Sequence, residues 1–176
     1  MPARVYSPFN PASQKVKPEN MKRSFVIIAL ALAFNLFMTP NSQAQSKSNS
    51  RDVKTSAAIR AVLDAQVAAW NRGDIEGFMD GYARSPNIVF VSGDSLTHGW
   101  QTVLDRYKKG YDTREKMGTL AFSDLEIKLI SKDAAVVNGR WQLNRDKDTP
   151  HGRFTLIFRR AKAGWRIVHD HTSSAS

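Results

Sequence analysis

The C-terminal half of this chain reads as strands set in a row with almost nothing between them. Leu125, Ile127 and Leu129 alternate with Glu126 and Lys128. Three longer stretches rich in β-branched and aromatic residues follow, Ala134 to Leu143, Gly152 to Arg160 and Trp165 to Thr172. Their connections are the turn Ser131-Lys132-Asp133, the polar loop Asn144 to His151 and the stretch Ala161 to Gly164. Links this short join antiparallel neighbours, because a parallel crossover takes roughly a dozen residues or more. Everything before them must pack on a meander.

What comes before is mostly helical. Ile59, Leu63, Val67 and Trp70 fall on one helical stripe, with Ser56 as the expected N-cap. Asn71-Arg72-Gly73-Asp74 stops that helix and starts another: Gly73 suits a left-handed position and Asp74 caps the next turn. Ile75, Phe78, Met79 and Tyr82 share the second helix's face. Ile88 to Val91 is a strand closed by Gly93-Asp94, and Gly99 to Tyr111 returns to helix through Trp100, Val103, Leu104, Tyr107 and Tyr111. Helices gathered before a meander give an α+β fold rather than a parallel α/β one.

The first 44 residues belong to a different kind of segment. Met21-Lys22-Arg23-Ser24 opens a basic start, and Phe25 to Met38 is an apolar run ended by Thr39-Pro40. The run is shorter than the roughly 20 residues that span a bilayer. Ser42 and Ala44 give a small-x-small cleavage pattern, so residues 21–44 are expected to be a signal peptide and Gln45 the first mature residue. Residues 1–20 hold four of the seven prolines and no periodicity, and read as a gene-model extension or a disordered tail. Residues 45–51 read as a flexible mature N-terminus. The expected location is periplasmic or secreted, with no stable membrane anchor after processing.

The formal charge of +10 raises the question of nucleic acid. Five of the 26 basic residues lie in residues 1–44, and the others are scattered among acids without a run or an aromatic interleave. Nucleic acid is therefore not an expected partner. The absence of cysteine removes disulfides, thiolate nucleophiles and thiolate zinc sites. His169 and His171 sit two apart, but His98 and His151 fall in expected loops, so neither a metal nor a cofactor is expected.

Three stretches resemble one family. Trp70-Asn71-Arg72-Gly73-Asp74 with Phe78 resembles the junction between the first two helices of nuclear-transport-factor-2-like domains. Ala135 to Trp141 resembles their central strand, and Gly152 to Arg159 with Gly164 to Ser173 their closing hairpin. The resemblance covers residues 52–173 and points to the SnoaL-like and calcium/calmodulin-dependent kinase II association-domain branches. It implies a cystatin-like cone, with three N-terminal helices packed on a curved antiparallel sheet, a pocket between them and homodimers through the convex face. The family includes enzymes, binding modules and assembly modules, so it fixes fold better than function.

Similarity to the kinase association domain places Arg140 in the pocket. Strand alternation then brings Asn138 and Gln142 in with it, and the last strand is expected to present Asp170 and Thr172. Trp70, Phe78, Tyr82, Phe90 and Tyr107 complete the expected wall. Val137, Trp141, Thr155, Ile157 and Ile167 are left for the convex, dimerising face. An Arg140–Asp170 pair would be either structural or an anchor for an acidic ligand. Three functions fit: binding a small acidic or carbonyl-bearing ligand without chemistry; acid/base catalysis of isomerase, dehydratase or hydrolase type, with Asp170 as base and Tyr82 or Tyr107 as donor; and an oligomeric scaffold.

Overall fold

The computed structural model describes residues 42–175, with side chains from Asn49 onward. The signal peptide and the N-terminal extension expected from the sequence lie largely or wholly outside these residues. Helix α1 runs Ser42–Asn71. Residues 45–51 are therefore helical, and Ser56 lies inside the helix rather than capping it. Ile59, Leu63 and Trp70 are buried as the stripe requires. Gln66 takes the fourth position of the buried face and Val67 lies beside it.

The Trp70-Asn71-Arg72-Gly73-Asp74 junction has a specific job. Gly73 takes φ +85°, and the Asp74 carboxylate accepts from Gly77 N at 2.7 Å to cap α2, Ile75–Met79. The Asn71 side chain acts as a short strand partner, donating to Leu120 O at 3.1 Å and accepting from Leu120 N at 2.7 Å. Arg114 donates to the terminal carbonyls of Trp70 and Asn71 at 3.0 and 3.1 Å, placing a cation where the helix dipole favours one. One pentapeptide thus ends a helix, starts another and anchors the sheet.

Strands β1, Val89–Ser92, and β2, Ser95–His98, form a hairpin around Gly93-Asp94. Helix α3, Trp100–Gly110, and the single turn α4, Arg114–Met117, lead to β3, Thr119–Ser131. Then come β4, Ala134–Asn144, β5, His151–Ala161, and β6, Gly164–Ser174. The sheet order is β2-β1-β6-β5-β4-β3. The meander is antiparallel as expected, but β1 joins β6 in parallel, so the sheet is mixed. β2, α4 and the first half of β3 carry no strong periodic pattern and were not foreseen.

Two irregularities curve the sheet. β3 slips register between Ser123 and Glu126, where Asp124 takes φ +51°. β6 has a bulge at Val168: Phe158 pairs with Ile167 and Ile157 with His169. An extra residue in one strand bends it and reverses which side chains face inward. Ile167 and Asp170 therefore lie on the same face, three residues apart. The inner face carries Val137, Leu143, Phe154, Leu156, Phe158 and Trp165, all buried.

Candidate functional site

The inner face of the sheet and helices α1 to α3 enclose a cavity of about 400 Å³. Its polar centre is Asp170, only 3% exposed. Register sets Asp170 between Phe90 of β1 and Leu156 of β5. Tyr82 Oη donates to Asp170 Oδ2 at 2.6 Å and Thr172 Oγ1 donates to Oδ1 at 2.6 Å. Tyr82 is aimed by its backbone: Ile167 N donates to Gly81 O and Ala83 N to Ile167 O, both at 2.9 Å. The segment after α2 is thereby stitched alongside β6, and the phenol reaches one strand residue pair further on.

Burial pushes the Asp170 carboxyl above the usual carboxylate range; the bonds from Thr172 and Tyr82 and the nearby His169 and His171 pull the other way without cancelling it. Burial and the neighbouring Asp170 charge hold the phenols of Tyr82 and Tyr107 well above their ordinary value. The centre thus holds one carboxyl that protonates more readily than usual and two phenols that stay protonated. Each oxygen of Asp170 still has a lone pair for an incoming donor.

Around this centre the wall is aromatic. Trp70 meets Phe78, Tyr107 and Tyr111 edge-on, with ring centroids 5.2, 6.0 and 4.8 Å apart. Tyr107 also packs on Phe78 at 5.2 Å and Phe90 at 5.7 Å. Trp70 Nε1 donates to Met117 O at 3.1 Å and Trp141 Nε1 to Ser173 O at 2.9 Å, so both indoles are fixed.

Of the expected wall residues, Trp70, Phe78, Tyr82, Phe90, Tyr107, Asp170 and Thr172 line this cavity; Asn138, Arg140 and Gln142 do not. The three lie on the outer face of β4. Arg140 sits in register between Ser123 and Arg153, Asn138 accepts from Thr155 Oγ1, and Gln142 donates to Asn144 Oδ1. The Arg140–Asp170 pair does not form. The apolar alternation Ala135, Val137, Gly139, Trp141, Leu143 decides the parity of β4, since turning it outward would expose a core face. The same rule moves Val137 and Trp141 from the expected convex face to the inner one, and the bulge at Val168 turns Ile167 inward as well. Thr155 and Ile157 stay on the convex face, both exposed.

Gln66, Arg106, Tyr111 and Arg145 also line the cavity and were not anticipated. Gln66 had a signal, a polar residue on the buried stripe of α1; its amide donates to Phe78 O at 3.0 Å. Arg145 stands in a polar loop and had none. His169 and His171 lie on the outer side of β6. Among the described residues no three His, Cys, Asp or Glu side chains gather as a metal site.

A sequence profile of the SnoaL-like domain matches residues 59–176. The chain is also similar to a solved nuclear-transport-factor-2-like protein of unknown function from Shewanella oneidensis. Identity is 41% over 67% of this chain and 98% of that one, with a TM-score of 0.65. A domain of unknown function with a cystatin-like fold from Nostoc punctiforme shares 19% identity over 70% of this chain and 78% of that one, TM-score 0.59. A ketosteroid isomerase-like protein from Erwinia carotovora atroseptica shares 21% over 68% and 95%, TM-score 0.55. At these last two identities the likeness is one of fold. Among curated proteins, no sequence matches this chain.

Proposed function

Starting from a chain that belongs to the SnoaL-like family, we propose that its cavity receives a small, largely apolar molecule bearing a hydroxyl or carbonyl oxygen. The observation that carries this reading is Asp170, a carboxyl buried on the wall of an open, aromatic-lined cavity with no cation paired to it among the described residues. Such a group is costly to bury and is held by two donors that leave it free to take a third. A pure scaffold would gain from filling this space with side chains, whereas about 400 Å³ stands open.

A second reading is acid/base catalysis, favoured by the direction of the Asp170 shift. A carboxyl raised toward neutrality accepts and returns a proton at smaller cost. The Tyr107 phenol stands beside the Tyr82–Asp170 pair and stays protonated, so it is available to donate to a developing oxyanion. The ketosteroid isomerase-like neighbour is compatible with this reading at the level of fold.

The test is a thermal-shift screen of small cyclic alcohols, ketones and carboxylates on the wild type and Asp170→Asn. Binders should raise the wild-type melting temperature, and the binders that donate to Asp170 should weaken in the variant. If no compound at millimolar concentration shifts the melt and native mass spectrometry finds no co-purified ligand, the binding reading is wrong. If binders are turned over by the wild type and not by Asp170→Asn, the catalytic reading replaces it.

Export and self-association belong to the same proposal. The basic start, apolar run and small-x-small site of residues 21–44 support delivery to the periplasm or beyond. Homodimerisation through the convex face is supported by one outward-facing row that crosses five strands: Val89, His169, Ile157, Val136 and Lys128. Its three apolar members lie at its centre and one edge, and Ile157 is 36% exposed.

A further inference from the structure

Just beyond the end of β4, the cavity rim holds a cation without a proper partner. Arg145 is held in place by its own turn: its N–H donates to Asp148 O at 3.1 Å, and Leu143 N donates to Pro150 O at 2.9 Å. Its stem runs against Gly118, where a Cβ would come within 2.7 Å of Arg145 Cγ, and Gly118 takes φ +58° besides. The side chain is three-quarters buried, and its nearest carboxylate, Asp148 Oδ2, stands 3.7 Å from Nη1, outside hydrogen-bond range. Arg145 Nε is buried with no acceptor at all, the sole side-chain polar atom in that condition among the described residues.

Buried donors are nearly always satisfied, and Arg145, whose residue lines the cavity while its guanidinium lacks a hydrogen-bonded carboxylate, can be completed by an acceptor that enters there. Resting on the cavity reading above, we propose that Arg145 holds the carboxylate of an amphipathic monocarboxylic acid whose apolar body lies along the aromatic wall. The N–H groups of a guanidinium form planar forks that match the two oxygens of a carboxylate. Trp141, Leu143 and Tyr111 line the same cavity and offer the apolar surface next to it. Arg106, the other arginine at the cavity, is committed elsewhere: it donates to Ser95 Oγ at 3.0 Å and lies over the Phe90 ring.

The arrangement also orients the ligand. Asp170 belongs to the row Phe90, Asp170, Leu156, Val137, whereas Arg145 lies eight residues beyond Val137 along the chain. The acid group of the ligand goes to the arginine end, away from the Asp170 carboxyl. An oxygen at its other end reaches the Tyr82–Asp170 pair. Substrate class and orientation both follow: a hydroxy- or keto-acid with an apolar middle.

Calorimetry with naphthalene-2-acetic acid and naphthalene-2-acetamide at pH 7 tests the assignment, because the two probes share a body and differ in charge. Wild-type protein should bind the acid at least about tenfold more tightly than the amide, a difference of about 1.4 kcal/mol. Arg145→Gln should bring the two within about threefold, chiefly by weakening the acid. Arg145→Lys, which keeps the charge and loses the fork, should fall between and serves if the glutamine variant does not fold. Equal affinities in the wild type, or a full preference surviving in a folded Arg145 variant, overturn the assignment and leave the cavity reading standing. Failure of both probes to bind folded wild-type protein overturns this assignment, and the cavity reading falls with it only if the thermal-shift screen and native mass spectrometry are negative as well.

Discussion

Asp170 gives the protein a pH signature opposite to that of most carboxylates in folded proteins. Its folded-state pKa is raised by burial, so the folded state holds its proton where the unfolded chain has released it. Stability from this group is therefore greatest in acid and is lost as pH rises from about 3.9, the unfolded value, through the raised one. Asn at this position keeps the shape and an oxygen for Tyr82 but cannot ionise. The melting temperature of Asp170→Asn minus that of the wild type should therefore climb between pH 4 and pH 7. A difference that stays flat, or falls, would show that Asp170 is not held in a desolvating site. The sequence marked Asp170, Tyr82 and Thr172 as inward but gave Asp170 an arginine partner. It has a phenol and a hydroxyl instead, because Tyr82 reaches it from a segment 88 residues away. Strand parity can say that a carboxyl faces inward; it cannot say which distant loop supplies its donors.

At the scale of elements, alternation was legible wherever a strand was uninterrupted. β4 shows both sides of this: its apolar positions give the inner face directly, and the resemblance-based placement of Arg140 overrode them. β6 defeated simple alternation for another reason, since the bulge at Val168 has no residue signature and one extra residue moves every later side chain to the other face. Gly139 is a more readable device. A Cβ there would run into the Phe154 ring and come within 2.8 Å of Leu125 Cδ2, so the strand pair closes only over hydrogen. Gly139→Ala should cost about 1–3 kcal/mol in urea unfolding. A cost under half a kcal/mol would mean that Phe154 relaxes freely into the cavity. The helix junction was readable for the opposite reason: Gly73 and Asp74 act locally, within four residues of each other. The contacts of Asn71 with Leu120 were not readable, because they join positions 49 residues apart.

At the scale of the whole molecule, two expectations concern what the protein is in solution and where it begins. Light scattering at tens of micromolar should give a dimer, and Ile157→Asp should give a monomer with its melt preserved, since Ile157 is exposed on the outer face and is not part of the core. A monomeric wild type would remove the convex face as an interface. The correction at Val137, Trp141 and Ile167 makes this a smaller apolar surface than the sequence suggested, so the dimer is expected to be readily dissociated by that one charge. Intact mass of material recovered from the periplasm should correspond to a chain starting at Gln45. Recovery of a chain that retains Phe25 to Met38 would reject cleavage there.

Trp70 and Trp141 stand on the wall of the cavity, with their indole N–H groups tied to backbone carbonyls, while Trp165 lies in the core away from it. The protein therefore carries its own optical probe. Water leaving the wall indoles shifts their emission, and the other two indoles, Trp100 and Trp165, which do not line the cavity, supply a background that occupancy leaves alone. Tyr107 and Tyr111 lie within 6.0 Å of Trp70, close enough to pass it their excitation. An unlabelled sample in a fluorimeter should thus report when the cavity fills, and the separate removal of Trp70 and Trp141 would tell which end fills first.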